Sequence, residues 1–226
     1  MWWVALGAVS AVTVQQPSDA LSKLGFKIAQ PMSDKDRAAL RARIDASLAK
    51  SGDVAFFDDV TDAYSGKVRH RGSGLVCPLG KKGQRIVSAS VEAAECETRQ
   101  SNAIYRTSVT RALAGSTLTS IAAAAQTAAE HEPHYAAMGG AHVEARPDLG
   151  SGRPEHRTLR FVSKVDGHDR ASRVQVGLVR GWVLTERHEY AGTAVPPMGM
   201  ADLLEETMFG SSIKPDGAIA GDGAPS

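Results

Sequence analysis

The sequence predicts an α+β fold in which a mostly antiparallel sheet carries helices packed on one or both faces. Short alternating apolar segments come in succession between turn residues, two longer segments have helical spacing behind capping residues, and no alternating βαβ pattern joins them. With 226 residues, 42% of them hydrophobic and 23% charged, the chain is long enough for one substantial core and has an ordinary globular composition.

The opening segment from Met1 to Val14 is apolar and has no basic residue. It is shorter than the ~20 residues of a membrane span, and Val9 and Ala11 stand where a signal peptidase expects small residues. The expectation is a signal segment over 1–11 cut after Ala11, a single α+β domain over 12–210 and a disordered tail over 211–226 that is rich in Gly, Ala and Pro. That arrangement implies a periplasmic or secreted protein with no stable membrane span after processing. Two cysteines, Cys77 and Cys96, permit one pairing, and closing their loop of roughly 20 residues would stabilise the fold by about 3 kcal/mol.

Ser33 ahead of Asp34 and Asp36 predicts a helix over 33–50, because a serine oxygen caps free amides and acids complement the helix dipole. Leu40, Ile44 and Leu48 recur every four residues as its buried stripe, and Ser51-Gly52 ends it. A strand follows around Val54, Phe56 and Phe57. A second is predicted over 67–76, a turn over 78–83, and a return strand over 85–91 that forms a hairpin with it and brings Cys77 and Cys96 within reach. A further strand spans 102–110.

Gly115-Ser116 resets the chain, with Ser116 capping a helix through Leu118, Ile121, Ala122, Ala125 and Ala129 whose small residues suit close packing on a sheet. Residues 133–154, with Gly139-Gly140, Pro147, Gly150 and Gly152, read as a long connection. A meander then runs through Leu159 and Phe161, a turn at 166–169, Val174 to Leu178, a break at Arg180-Gly181, and a strand over 182–190. A last short helix is predicted around 201–209.

The formal charge is +1 from 26 basic and 25 acidic residues, so no uniform field gathers nucleic acid. Arg69, His70, Arg71, Lys81, Lys82 and Arg85 form a local basic cluster without interleaved aromatics, and this reads as a solvated face. No phosphate loop or dinucleotide fingerprint occurs, and no cofactor is expected.

The segment from Val68 to Pro78, with its Arg-His, Ser-Gly-Leu and Cys elements, the later Glu95-Cys96 and the Gly181-Trp182 strand start, resembles a group of uncharacterised exported proteins of alphaproteobacteria. The resemblance covers 54–110 and 157–191. It implies export and a disulfide, and brings no activity, cofactor or catalytic residue. In element order the chain is also distantly similar to the PsbP/Mog1-type sandwich, a likeness of fold alone.

Three constellations could carry chemistry. His70 and Ser73 flank a Gly72-Ser73-Gly74 run, but residues three apart in an extended strand point to opposite faces, so a direct hydrogen bond requires a sharp turn at Gly72. His131, Glu132, His134 and His142 supply imidazoles and a carboxylate, but Pro133 breaks the helical spacing of a zinc motif, so no metal is expected. Asp58, Asp59, Asp62 and Glu205-Glu206 read as solvated charge, and His156, His168 and His188 as surface residues. The expected function is a non-catalytic cell-envelope protein that binds a protein partner or small-molecule ligand through its sheet face or the 133–154 connection. The alternative is a hydrolase or metal-dependent enzyme with its site near His70/Ser73 or His131/His134/His142.

Overall fold

A computed structural model of the chain describes residues 30–138, 144–146 and 156–193. Helix α1 (Asp34–Ser51) begins where the Ser33 side chain accepts the Asp36 amide at 3.1 Å and ends at Gly52, whose N–H reaches the carbonyls of Leu48 and Ala49. Its buried residues are Leu40, Ile44 and Leu48, the stripe that the sequence predicts.

After a short 3₁₀ turn (Asp53–Ala55), three strands form a small antiparallel sheet: β1 (Phe57–Asp59), β2 (Lys67–His70) and β3 (Val76–Pro78). The strand expected over 67–76 is therefore two strands. Residues 71–74 make a hairpin loop, closed by the His70 amide on the Leu75 carbonyl at 2.8 Å. Gly72 is required there by close approach, since a Cβ at this position would lie 2.8 Å from the Val91 carbonyl oxygen and 3.3 Å from the Trp182 ring.

The second sheet has, among the described residues, eight strands. In chain order they are β4 (Gln84–Ala89), β5 (Ala93–Arg99), β6 (Ala103–Arg111), β7 (Ala136–Ala137), β8 (Glu144–Arg146), β9 (His156–Val165), β10 (His168–Val179) and β11 (Trp182–Ala191). The spatial order is β4-β5-β6-β11-β10-β9-β7, with β8 also paired to β9. Two meanders thus meet where β11 lies antiparallel to β6, Leu184 opposite Val109. The turns of the second meander place Asp166, Gly167, Arg180 and Gly181 all at positive φ, the conformation of two-residue hairpin turns that follow the strand twist.

The hairpin expected between 67–76 and 85–91 does not form. β3 belongs to the small sheet, and β4 pairs instead with β5, a strand that sequence periodicity missed because Ala and Glu favour strands weakly. His168 opens β10 and is not in the turn before it, and the connection 133–154 contributes β7 and β8. The expected signal segment, the helix at 201–209 and the tail lie outside the described residues.

Alternation along β11 distributes two cores to opposite faces of the large sheet. Trp182 and Leu184 join α1, the small sheet and Val109 in one cluster, while Val183 packs with the other, formed by Phe161, Val174 and Val176 under helix α2 (Leu118–Glu130). Helix α2 is capped by Thr117, one residue beyond the expected Ser116, because Thr117 and Ser120 exchange side chain to backbone bonds in a capping box. Cys77 on β3 and Cys96 on β5 lie in the first cluster at disulfide distance, with Cα atoms 5.9 Å apart, where a bond between them would link the two sheets. No described helix is long and apolar enough to cross a membrane.

Candidate functional site: a cleft between helix α2 and the sheet

The alanines of α2 do not close onto the sheet along their whole length. Ala124, Ala125, Ala128 and Ala129 face Val174, Val176 and Val183 across a cleft of about 480 Å³. A dry, enclosed void of that size would cost on the order of 10 kcal/mol, most of a domain's stability. The cleft instead opens to solvent beside Leu113, which is 83% exposed. Volume and apolar lining match those of small-molecule sites, in which a few polar groups fix orientation.

Those polar groups are the Thr110, Ser116 and Thr185 hydroxyls, Arg111, whose guanidinium stands 4.9 Å over the Trp182 ring, and, beyond the end of α2, an ion pair. Arg187 on β11 donates from both terminal nitrogens to the two carboxylate oxygens of Glu132, the Nη2 bond measuring 2.9 Å. Its Nε lies 2.6 Å from Glu189 Oε1, and its guanidinium stands 5.6 Å over the Phe161 ring. Burial alone would raise the Glu132 carboxyl, but the Arg187 hydrogen bonds outweigh it and hold its pKa below the ordinary value; Arg187 is correspondingly pushed up.

From Arg187 the charges continue across the sheet. Arg106 bridges Glu189 at 3.3 Å and Glu97 at 2.9 Å, and Glu97 also receives Arg85 at 2.9 Å and Arg99 at 2.6 Å. Sequence reading missed this ladder because its members come from four separate strands. The period-two positions Glu97, Arg99 on β5 and Arg187, Glu189 on β11 are the signal that could have shown it.

The predicted site residues fall elsewhere. His70 and Ser73 do meet, at 2.9 Å from Nδ1 to Oγ, because the hairpin loop turns the chain where an extended strand would separate them. The Ser73 amide also donates to Nδ1, at 3.2 Å, which assigns the proton to Nε2 and its 2.7 Å bond to the Ser90 carbonyl. The ring is 1% exposed, between Phe57 and Trp182. Both nitrogens are spent on holding the β2–β3 loop against the β4–β5 turn, and a substrate has no path to the imidazole. Ser73→Ala removes one hydrogen bond to the ring and one from the Leu75 amide. It should lower unfolding free energy by about 1 kcal/mol in urea titration, and a loss above ~3 kcal/mol would show a larger role for this hydroxyl.

His131 sits at the end of α2 with Nδ1 2.6 Å from the Thr127 carbonyl, His134 is exposed, Glu132 is turned to Arg187, and His142 lies outside the described residues. Among the described residues no three metal-ligating side chains gather at one point. His156 and His188, expected at the surface, are buried on β9 and β11, His188 with its ring 5.0 Å from that of Tyr105, because it takes the same inward register as Trp182 and Leu184. In the basic cluster, Arg69 and Arg71 pair with Asp58 and Arg85 with Glu97. Asp59 caps the Thr61 amide, and Asp62 is held well below the ordinary carboxylate range by Lys67 and the Tyr64 and Ser65 amides. Glu205-Glu206 lie outside the described residues.

No known family model and no curated protein matches the chain. Among solved structures it is similar to LpqN, involved in cell envelope biogenesis of Mycobacterium tuberculosis, at 12% identity and a TM-score of 0.32 over 59% of this chain and 78% of that one. It is also similar to PA94, a protein of unknown function from Pseudomonas aeruginosa, at 14% identity and a TM-score of 0.34 over 67% of this chain and 89% of that one. The chain's likenesses to known proteins are thus to distant solved structures.

Proposed function

We propose that the chain is an exported, non-catalytic binding protein of the cell envelope that holds a small apolar ligand in the cleft between α2 and the sheet. The observation that carries this reading is the cleft itself, about 480 Å³ lined by alanine, valine, isoleucine and phenylalanine on a rigid scaffold. Neither His70 nor Ser73 nor His131 lines it, its ion pair is internally matched, and no histidine or cysteine stands among its lining residues to activate the Thr110, Ser116 or Thr185 hydroxyl. In this reading 1–11 is the signal segment, 12–210 the binding domain and 211–226 a tail, and the buried cysteine pair suits a periplasmic or secreted location. Nucleic acid is not a partner in this reading.

Filling the cleft tests the assignment. Protein purified from its own envelope is expected to carry one small apolar molecule, visible by native mass spectrometry. Ala125→Phe should lose that molecule while keeping or raising the melting temperature, because the new ring replaces it. Equal ligand content in both proteins, or none in either after incubation with an envelope lipid extract, would overturn the reading.

A further inference from the structure

Independently of the cleft, we propose that the sheet face over β4, β5 and β6 binds a doubly charged tetrahedral oxyanion, a phosphate or sulfate group, on the guanidiniums of Arg85, Arg99 and Arg106. Register places Arg85, Glu97 and Arg106 side by side, and alternation puts Arg99 on the same face, the one on which α2 packs against β9 and β10. Three guanidiniums thus meet one carboxylate. Glu97, 1% exposed, receives the Nε groups of Arg85 and Arg99 on one oxygen and that of Arg106 on the other. Arg106 also reaches Glu189, an acid already matched by Arg187. Arg85 and Arg99 have no carboxylate besides Glu97 within ion-pair distance among the described residues. Around them Glu95, two residues back on the same face, and Asp166, which acts on Arg99 without an ion pair, are offset by Lys81 and Lys82 in the turn whose Gly83 carbonyl accepts the Arg99 amide. About two positive charges are left over.

The three groups are near enough to act on one anion. The Nε atoms of Arg85 and Arg99 approach the same oxygen at 2.9 and 2.6 Å and so lie within about 5.5 Å of each other. A tetrahedral oxyanion accepting at ordinary hydrogen-bond lengths bridges donors about 5 to 7 Å apart. Donors are in surplus: both terminal nitrogens of Arg85 and Nη1 of Arg99 make no bond among the described residues. The three side chains are 58%, 49% and 29% exposed, so an anion reaches them from solvent. The buried carboxylate beneath fixes the guanidiniums before a ligand arrives, which spares the rotamer entropy that unheld surface arginines lose on binding. A carboxylate ligand carries one charge in one plane and serves a single guanidinium fork. A sulfate or phosphate dianion matches both the leftover charge and donors drawn from three strands.

The test titrates the full chain with sodium sulfate at pH 6.5 and follows the Nε–H resonances of the three arginines. All three are expected to shift on one common curve with an affinity in the millimolar range or tighter, and chloride at equal ionic strength should act at least about tenfold more weakly. Equal responses to the two salts would mean screening alone and overturn the proposal. Arg85→Gln and Arg99→Gln should each weaken sulfate about tenfold. Arg71→Gln, which removes a comparably exposed guanidinium paired with Asp58, and Ala125→Phe, which fills the cleft, should leave it unchanged. Sulfate affinity that survives both ladder variants, or falls equally in Arg71→Gln, would also overturn the site. Phosphatidylcholine vesicles with and without phosphatidic acid separate the sources of the anion. Binding that needs phosphatidic acid and weakens in Arg99→Gln assigns a lipid headgroup; sulfate binding without it assigns a free anion; neither response refutes both.

Discussion

Replacing Glu97 with glutamine is expected to lower stability at neutral pH by about 2 to 3 kcal/mol and to remove this carboxylate's share of the acid sensitivity of the fold between pH 4.5 and 2, leaving the shares of Asp62 and Glu132. The carboxylate is 1% exposed and accepts from Arg99, Arg85 and Arg106. Burial acts to raise its pKa, but these three hydrogen-bonded guanidiniums outweigh burial and bring it from 4.5 down to about 2. A carboxyl more acidic in the folded than in the unfolded chain contributes stability that is complete above the unfolded value. The contribution fades as pH falls from about 4.5 to about 2 and is absent below. Its full size would be about 3 kcal/mol at 1.36 kcal/mol per pKa unit, and the half-exposed arginines, which water can serve, reduce what the substitution costs. Urea unfolding of both proteins at pH 7 and pH 2 checks this. A difference that stays constant across the range would mean that Glu97 acts through packing and not through its charge.

The second large effect concerns the cysteines. Protein unfolded without reductant is expected to show no free thiol, and reduction should lower stability by about 3 kcal/mol, with a fall of several degrees in melting temperature. Cys77 and Cys96 are 19 residues apart in sequence, so the entropic gain is that of a short loop. Their position gives the bond a further consequence, since it ties β3 of the small sheet to β5 of the large one through the shared core. Reduction should therefore loosen α1 and the small sheet before α2 and the second meander, which hydrogen exchange resolves segment by segment. Both cysteines are buried, so reductant should act slowly on the native state. Two free thiols in the unreduced protein would refute the pairing; uniform loosening of both cores would refute the inter-sheet role.

Helix α1 was legible in the sequence because everything that defines it is local: Ser33 at one end, Gly52 at the other, and apolar residues four apart between them. The second meander was legible for the same reason, its strands set off by Asp166-Gly167 and Arg180-Gly181. The strand over 67–76 failed where a local cue was overruled. Gly72-Ser73-Gly74 sits inside a run of strand-like residues, and the loop it makes pays off only because Ser90 and Val91, in a distant turn, receive His70 and leave room for Gly72.

By itself, then, the sequence determined the α+β class, most of the elements and their ends, because capping and turn chemistry act between neighbours. The pairing of strands it did not determine. Sending β3 to one sheet and β4 to the other, and setting β11 beside β6, depends on which apolar faces can be buried together, a condition on residues far apart in the chain. The candidate site was decided at that level too. An alanine face on α2 is compatible with close contact or with a cleft. Tertiary structure chose the cleft: it placed Arg187 opposite Glu132, 55 residues away, and packed Ile121, Ala122 and Ala129 with Leu159 and Phe161 under α2, leaving open space between the rest of the helix and β11.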